Sequence, residues 1–215
     1  TDTQRRFIEH CLSRYRGDLT GDILPFWLSH GVDVQNGRVF TCLDRDGTVY
    51  DTTKSVWFQG RFAYVCSLAY NSGVKDPALL DAARSALNFI YKHCIDSDGH
   101  MFFEVTAEGK GLRKRRYVFS ECFAAMAMTE YSQAANDRSY MDKALSLFLN
   151  IRTMLSREGF LEPKYLTPMR GHSITRIMMN VAHCLGKYSD DPVLEEQIDQ
   201  SVDEIEKYFL HPEQK

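Results

Sequence analysis

Several signatures are missing from the sequence. No C-x-x-C pair joins any of the six cysteines, and no H-x-H, H-E-x-x-H or carboxylate cluster at ligand spacing occurs among the seven histidines and 29 acids. A metal site is therefore not expected, and nothing calls for a cofactor. There is no glycine-rich phosphate loop and no G-x-S-x-G, which removes P-loop nucleotide chemistry and the nucleophile elbow. No apolar run approaches the roughly 20 residues that cross a bilayer. The opening TDTQRRFIEH has no apolar core of a signal peptide, so none is expected. Neither sign of charge dominates: 26 Lys and Arg against 29 Asp and Glu leave a net charge of -3. Nothing global points to nucleic acid or to a membrane surface.

What is present is an ordinary globular balance. The 215 residues are 44% hydrophobic, 12% aromatic and 26% charged, which rules out a disordered tail, a collagen-like chain and a coiled coil. Cys11, Cys42, Cys66, Cys94, Cys122 and Cys184 sit mostly among apolar neighbours at helical spacing. They read as buried free thiols of a reducing compartment, hence a cytoplasmic protein, and not as a disulfide frame.

The sequence repeats itself. A glycine followed by apolar residues recurs as GRVF at 37–40, GHMFF at 99–103 and GFL at 159–161, with glycines 62 and 60 residues apart. An apolar helix follows each copy. FQGRFA at 58–63 aligns with FSECFA at 119–124, a spacing of 61, and Tyr70 aligns with Tyr131. Residues 55–71 and 118–134 are apolar nearly all round, as helices buried on most sides must be. The third copy, 173–188, is the loosest. Residues 78–95, 139–155 and 193–210 are amphipathic, as outer helices are. A helical segment over 4–30 should kink near Gly21 and Pro25. The turn signals Asn36-Gly37 and Asp46-Gly47 predict a hairpin of 38–43 with 48–50.

Buried and amphipathic helices alternating at a period near 61 imply an all-α, concentric solution. The expected fold is the N-terminal half of an (α/α)6 toroid, with inner and outer helices and short β-hairpins at one mouth. Residues 1–215 form one incomplete domain of about three and a half repeats. A three-repeat α-solenoid is the alternative.

In a toroid, polar residues near the starts of inner helices converge on the axis. A polar group inside an apolar helix needs a partner or a ligand, since unpaired burial costs about 1–3 kcal/mol. Arg61, one turn into such a helix, is either an oxyanion or hydroxyl ligand or one half of a structural pair with Glu121. Glu121 is a substrate contact or a capping residue. His172, which opens the third inner helix, is a proton carrier or a terminal loop histidine. Arg176 points the same way one turn on. Trp57 and Phe119 offer flat faces for a sugar ring or simply pack the core. Asn180 contacts substrate or a neighbouring helix. The basic run RKRR at 113–116 reads as a solvated hairpin edge. Glu104 and Glu121 are the candidates for an acid pair of a sugar hydrolase.

DRDGTVYD at 44–51, KSVWFQGR at 54–61 and VFSECFAAMAM at 118–128 resemble the N-acylglucosamine 2-epimerase family, also called renin-binding protein. PFWL at 25–28, FTCL at 40–43 and, more loosely, GHSITRIMMN at 171–180 fit the same resemblance. It implies an (α/α)6 barrel and inversion at C2 of an aldose such as N-acetylglucosamine or N-acetylmannosamine, through an enediolate. It implies that Arg61 stabilises the oxyanion. The family's chain is close to twice this length, and its two proton-transfer histidines come from the second half. His172 and His183 do not match them by position. The chain alone is therefore expected to be inactive or nearly so. An inactive sugar- or protein-binding module and an aldose–ketose isomerase are the alternatives. The expected partners are a small sugar and, because an open half-toroid exposes an apolar flank, a second copy or the missing half.

Overall fold

The computed structural model describes residues 1–115, 117–161, 169–211 and 213. Helix α1 spans Asp2–Asp18, closed by a capping box at Thr1. It continues through a π-helical turn at Leu19–Ile23, the short α2 at Leu24–Phe26 and a second π-helical turn at Trp27–Gly31. The widened turns surround Pro25, whose missing N–H breaks the helical ladder. No residue of α1 is buried. Phe7, Ile8, Leu12 and Tyr15 form an exposed apolar stripe along it.

Three helix pairs follow. The inner helices are α3 (Val56–Asn71), α5 (Phe119–Ala135) and α7 (Ser173–Gly186). The outer helices are α4 (Pro77–His93), α6 (Ser139–Ser156) and α8 (Pro192–Tyr208). α3 packs on α5 and α5 on α7, while α4, α6 and α8 each cover the inner helix before them. Asp76 and Asp191 accept from the backbone N–H two residues on, and proline follows each at the first helical position. Those caps start α4 and α8 where the sequence turns amphipathic. The inner helices end differently: α5 stops at Asn136, in the left-handed region at φ 52°.

Short strands collect at the starts of the inner helices. β1 (Val32–Asp33) pairs with β2 (Arg38–Val39), and β3 (Cys42–Leu43) with β4 (Val49–Asp51). The stretch 38–43 is thus two strands of two hairpins, not the single strand expected. Thr41 makes the break, donating its hydroxyl to the Thr53 carbonyl at 3.0 Å. β5 (Lys54–Ser55), β6 (Glu104–Val105) and β7 (Gly111–Arg113) form an antiparallel three-stranded sheet. The approach to α3 is thereby stitched to the hairpin that precedes α5.

Buried polar groups fasten this layer to the helices. Gln59 in α3 accepts from the Val39 N–H and donates to the Val39 carbonyl at 2.7 Å. Ser120, 61 residues later, donates to the Phe102 carbonyl at 3.1 Å. The Lys54 ammonium meets Asp33 at 3.0 Å, with neither side chain more than 3% exposed. His100 sits between two acceptors: Nδ1 meets the Glu121 carboxylate, and Nε2 lies 2.7 Å from the Arg115 carbonyl. Glu121 also accepts from the Met101 N–H. The basic run is an ion-paired edge: Arg113 meets Glu104, and Lys114 meets Asp96 and Asp98. Arg116 lies outside the described residues.

Cys66, Cys94, Cys122 and Cys184 are buried, and all six cysteines are free thiols. Burial pushes the Cys66 and Cys94 thiols up to about 12, so neither forms a reactive thiolate near neutrality. No helix of the described residues is long and apolar enough to cross a membrane. They contain no group of three or more His, Cys, Asp or Glu that could hold a metal ion.

Two predictions follow from this packing. A Cβ at Gly60 would stand 2.9 Å from the Phe123 carbonyl carbon and 3.1 Å from the Ala124 nitrogen. Glycine to alanine inside a helix ordinarily gains about 1 kcal/mol. Here α5 backbone blocks the methyl, so Gly60→Ala should cost about 1–3 kcal/mol in urea unfolding; a gain in stability would contradict the close approach. The second concerns His100. The Glu121 hydrogen bond, helped by the Arg115 carbonyl, raises the imidazole pKa above its ordinary 6.5 against the opposing effect of burial. A raised folded-state pKa stabilises fully below the unfolded value and is lost as pH rises through the folded one. The melting-temperature advantage of the wild type over His100→Gln should be greatest below pH 6.5 and shrink above it. An advantage that grows with pH would exclude a protonated His100.

Candidate active site

The concave wall of the inner helices carries a cavity of about 680 Å³. Arg61 on α3, Phe119 and Phe123 on α5, and Arg176, Asn180 and His183 on α7 line it. Arg61 is exposed although its helix is apolar, because it leaves the α3–α5 contact toward the axis. Its guanidinium lies 4.5 Å from the centroid of the Phe123 ring, which holds the cation over an aromatic face. Arg176 and Asn180 are one turn apart on α7, and His183 follows on the same face. The Asn180 amide comes within 3.8 Å of Met126 Sδ on α5, a weak contact.

The aromatic candidates form one cluster. Trp57 stands 5.2 Å from both Phe103 and Phe119 and 6.0 Å from Phe123, between ring centroids. Phe119 faces the cavity, and Trp57 supports it from the hairpin side without lining the space. Two candidates stand elsewhere. Glu121 is fully buried beneath the hairpin, held by His100 and Met101, and makes no pair with Arg61. Successive residues of a helix diverge by about 100°, so Glu121 faces the strands while Phe119 and Phe123 face the axis. His172 packs its ring 4.8 Å from Phe209, at the end of the outer helix α8, and does not line the cavity with Arg61. Glu104 is engaged by Arg113 at 3.3 Å, so Glu104 and Glu121 do not face one another across the cavity.

Sequence reasoning passed over Phe123, and it set His183 aside as not matching the family's proton-transfer histidines by position. Both were legible by spacing, since Phe123 follows Phe119 by one turn and His183 lies three residues beyond Asn180. Chemically, the wall can hold an oxyanion on Arg61, rest an apolar sugar face on Phe119 and Phe123, and exchange a proton at His183.

Comparison with known proteins gives this geometry a family. Residues 39–173 match the family described as N-acylglucosamine 2-epimerase (GlcNAc 2-epimerase). The chain is 36% identical over 177 residues to the N-acylglucosamine 2-epimerase of Bos taurus, covering 79% of this chain and 42% of the bovine one. It is 31% identical over 155 residues to a cellobiose 2-epimerase of Ruminococcus albus, covering 70% and 39%. The chain thus spans about two fifths of the length of the curated relatives it matches. The fold superposes on the cellobiose 2-epimerase of Bacillus thermoamylovorans B4167 with a TM-score of 0.83 at 21% identity, covering 95% of this chain and 57% of that one. Its helices are accordingly those of an (α/α)6 barrel. The matched segment takes in the β3–β4 hairpin, the β5–β6–β7 sheet, α3 and α5, and the chain belongs to the N-acylglucosamine 2-epimerase family.

Proposed function

We propose that this chain forms the oxyanion-holding wall of a sugar 2-epimerase site, acting on an aldose of the N-acetylglucosamine/N-acetylmannosamine type. One observation carries the reading. Arg61 presents a guanidinium, without an acid partner among the described residues, to a cavity floored by aromatic rings. Removing the C2 proton of an open-chain aldose places negative charge on the C1 oxygen. A cation fixed on a packed helix lowers that barrier, because it needs no reorganisation as the charge develops. Phe119 and Phe123 give the sugar's C–H face an apolar surface, and Asn180 gives its hydroxyls a partner. Return of the proton to the opposite face of C2 completes epimerisation; return to C1 makes a ketose, so aldose–ketose isomerisation shares every step up to the enediolate. A hydrolase is disfavoured because no carboxylate lines the cavity among the described residues.

Inversion requires one group to take the proton and another to deliver it to the other face. His183 is the single imidazole on this wall among the described residues. The 215 residues alone should therefore produce no N-acetylglucosamine from N-acetylmannosamine in D2O, followed by proton NMR, while a full-length relative equilibrates the two. Arg61 is tested without turnover. An aldonohydroxamate, whose planar N-hydroxyamide imitates the enediolate, should bind the chain about tenfold more tightly than the parent sugar. In Arg61→Ala that preference should vanish, with sugar affinity changed about twofold at most. A preference that survives the substitution, read by calorimetry, would remove Arg61 from the oxyanion role.

A further inference from the structure

A buried imidazole beneath the hairpin takes no part in the proposed chemistry. His100 does not line the cavity, and both of its ring nitrogens face acceptors. Nδ1 meets the Glu121 carboxylate on α5, whose oxygen also accepts from the Met101 N–H at 2.6 Å. Nε2 lies 2.7 Å from the carbonyl oxygen of Arg115. A neutral imidazole has one N–H and serves only one of two acceptors, whereas the imidazolium serves both. The geometry is that of a charged histidine. Three further groups face it among the described residues. Asp98 accepts from the His100 backbone N–H at 3.0 Å, Lys114 opposes a second positive charge, and the Phe160 ring stands 5.5 Å away between centroids. The Cys122 thiol beside Glu121 is pushed well above its ordinary range by burial and stays protonated.

Arg115 connects this imidazole to the site. Its guanidinium lies 4.1 Å from the Phe103 centroid, and Phe103 packs edge-on to Trp57. Two residues on, Tyr117 packs against Phe119, which faces the cavity. We infer that His100 is a positioning residue of the sugar site: protonated, it ties down the chain between β7 and α5, and on losing that proton it lets the aromatic support of the cavity shift. The remaining proton stays with Glu121, because a carboxylate is the stronger acceptor. Nε2 then turns a lone pair on the Arg115 carbonyl, and two acceptors do not hold a separation of 2.7 Å. The Arg115 backbone moves off, and Phe103, Trp57 and Phe119 repack behind the sugar. The inference rests on the sugar-site reading above and deepens it, as the regulation of that site by pH.

The two tryptophans report on this directly. In the 215-residue chain labelled with fluorotryptophan, the fluorine NMR line of Trp57 should shift in one step centred above 6.5, the ordinary histidine value. Trp27, which packs on Phe58 and Phe62, should stay still. N-acetylmannosamine affinity, read by calorimetry, should fall about threefold across the same step. His100→Gln should flatten both profiles. Glu121→Gln removes the carboxylate and should move the step to lower pH, which decides the matter even where His100→Gln fails to fold. His183 lines the cavity itself, so His183→Gln separates the two imidazoles and should leave the Trp57 step in place. A Trp57 line that does not titrate would overturn the inference. So would a step that survives His100→Gln, one that disappears in His183→Gln, or a sugar affinity that ignores the step. Failure of the sugar to bind at any pH would overturn the sugar-site reading instead, and the fluorine titration would still decide whether His100 holds the aromatic cluster.

Discussion

The distance between α3 and α5 decides most of what this molecule can do, and Gly60 sets that distance. A hydrogen in place of a side chain lets the α3 backbone settle against Phe123 and Ala124. Everything next to Gly60 inherits the closeness. Arg61 lies over the Phe123 ring, and Trp57 meets Phe103, Phe119 and Phe123 in one cluster. With a wider gap the guanidinium would lose its aromatic seat and swing in solvent. The far ends of the inner helices are pinned too. Glu130, fully buried on α5, accepts from Asn71 of α3 and from Lys187 and Tyr188 just beyond α7. Its charge is tolerable because three donors surround it. The wall is thus fixed at both ends, which is what preorganised electrostatics requires.

Polar residues in the inner helices have two distinct fates. Gln59, Ser120 and Glu121 turn toward the strands and hold the hairpins down. Arg61, Arg176 and Asn180 turn toward the axis. The first set is structural in the strict sense: it satisfies backbone groups that strand pairing leaves open. The second set has few partners among the described residues. That division explains how two neighbouring apolar helices can carry charged residues without forming a pair between them.

Much of this was legible in the sequence. The helix boundaries fall within a residue or two of the periodicity, because α3 and α5 are apolar all round and Asp-Pro pairs mark the starts of two of the three outer helices. Arg61 and Phe119 were recognisable as axis-facing by the same logic. The direction of Glu121 was not, since an acid in the first turn of a buried helix satisfies the burial test whether its partner is a substrate or a histidine 21 residues away. Nor was the side taken by His172, which depends on where α8 ends. The break at Thr41 was hidden because a threonine fits a strand equally well when its hydroxyl leaves the ladder for a distant carbonyl.

The glycines at 37, 99 and 159 share one backbone state, with φ of 69°, 78° and 75°. Each marks the same bend, one repeat after another, ahead of an inner helix. A left-handed glycine reverses the chain at little conformational cost, so the bend needs few side chains to hold it. Rim and wall are consequently joined at few points, chiefly through Gln59, Ser120 and Glu121. Loops at the rim can lengthen or change sequence while the inner helices keep their register. A scaffold divided in this way can be retuned for different sugars by editing its rim while the chemistry on its wall stays where it is.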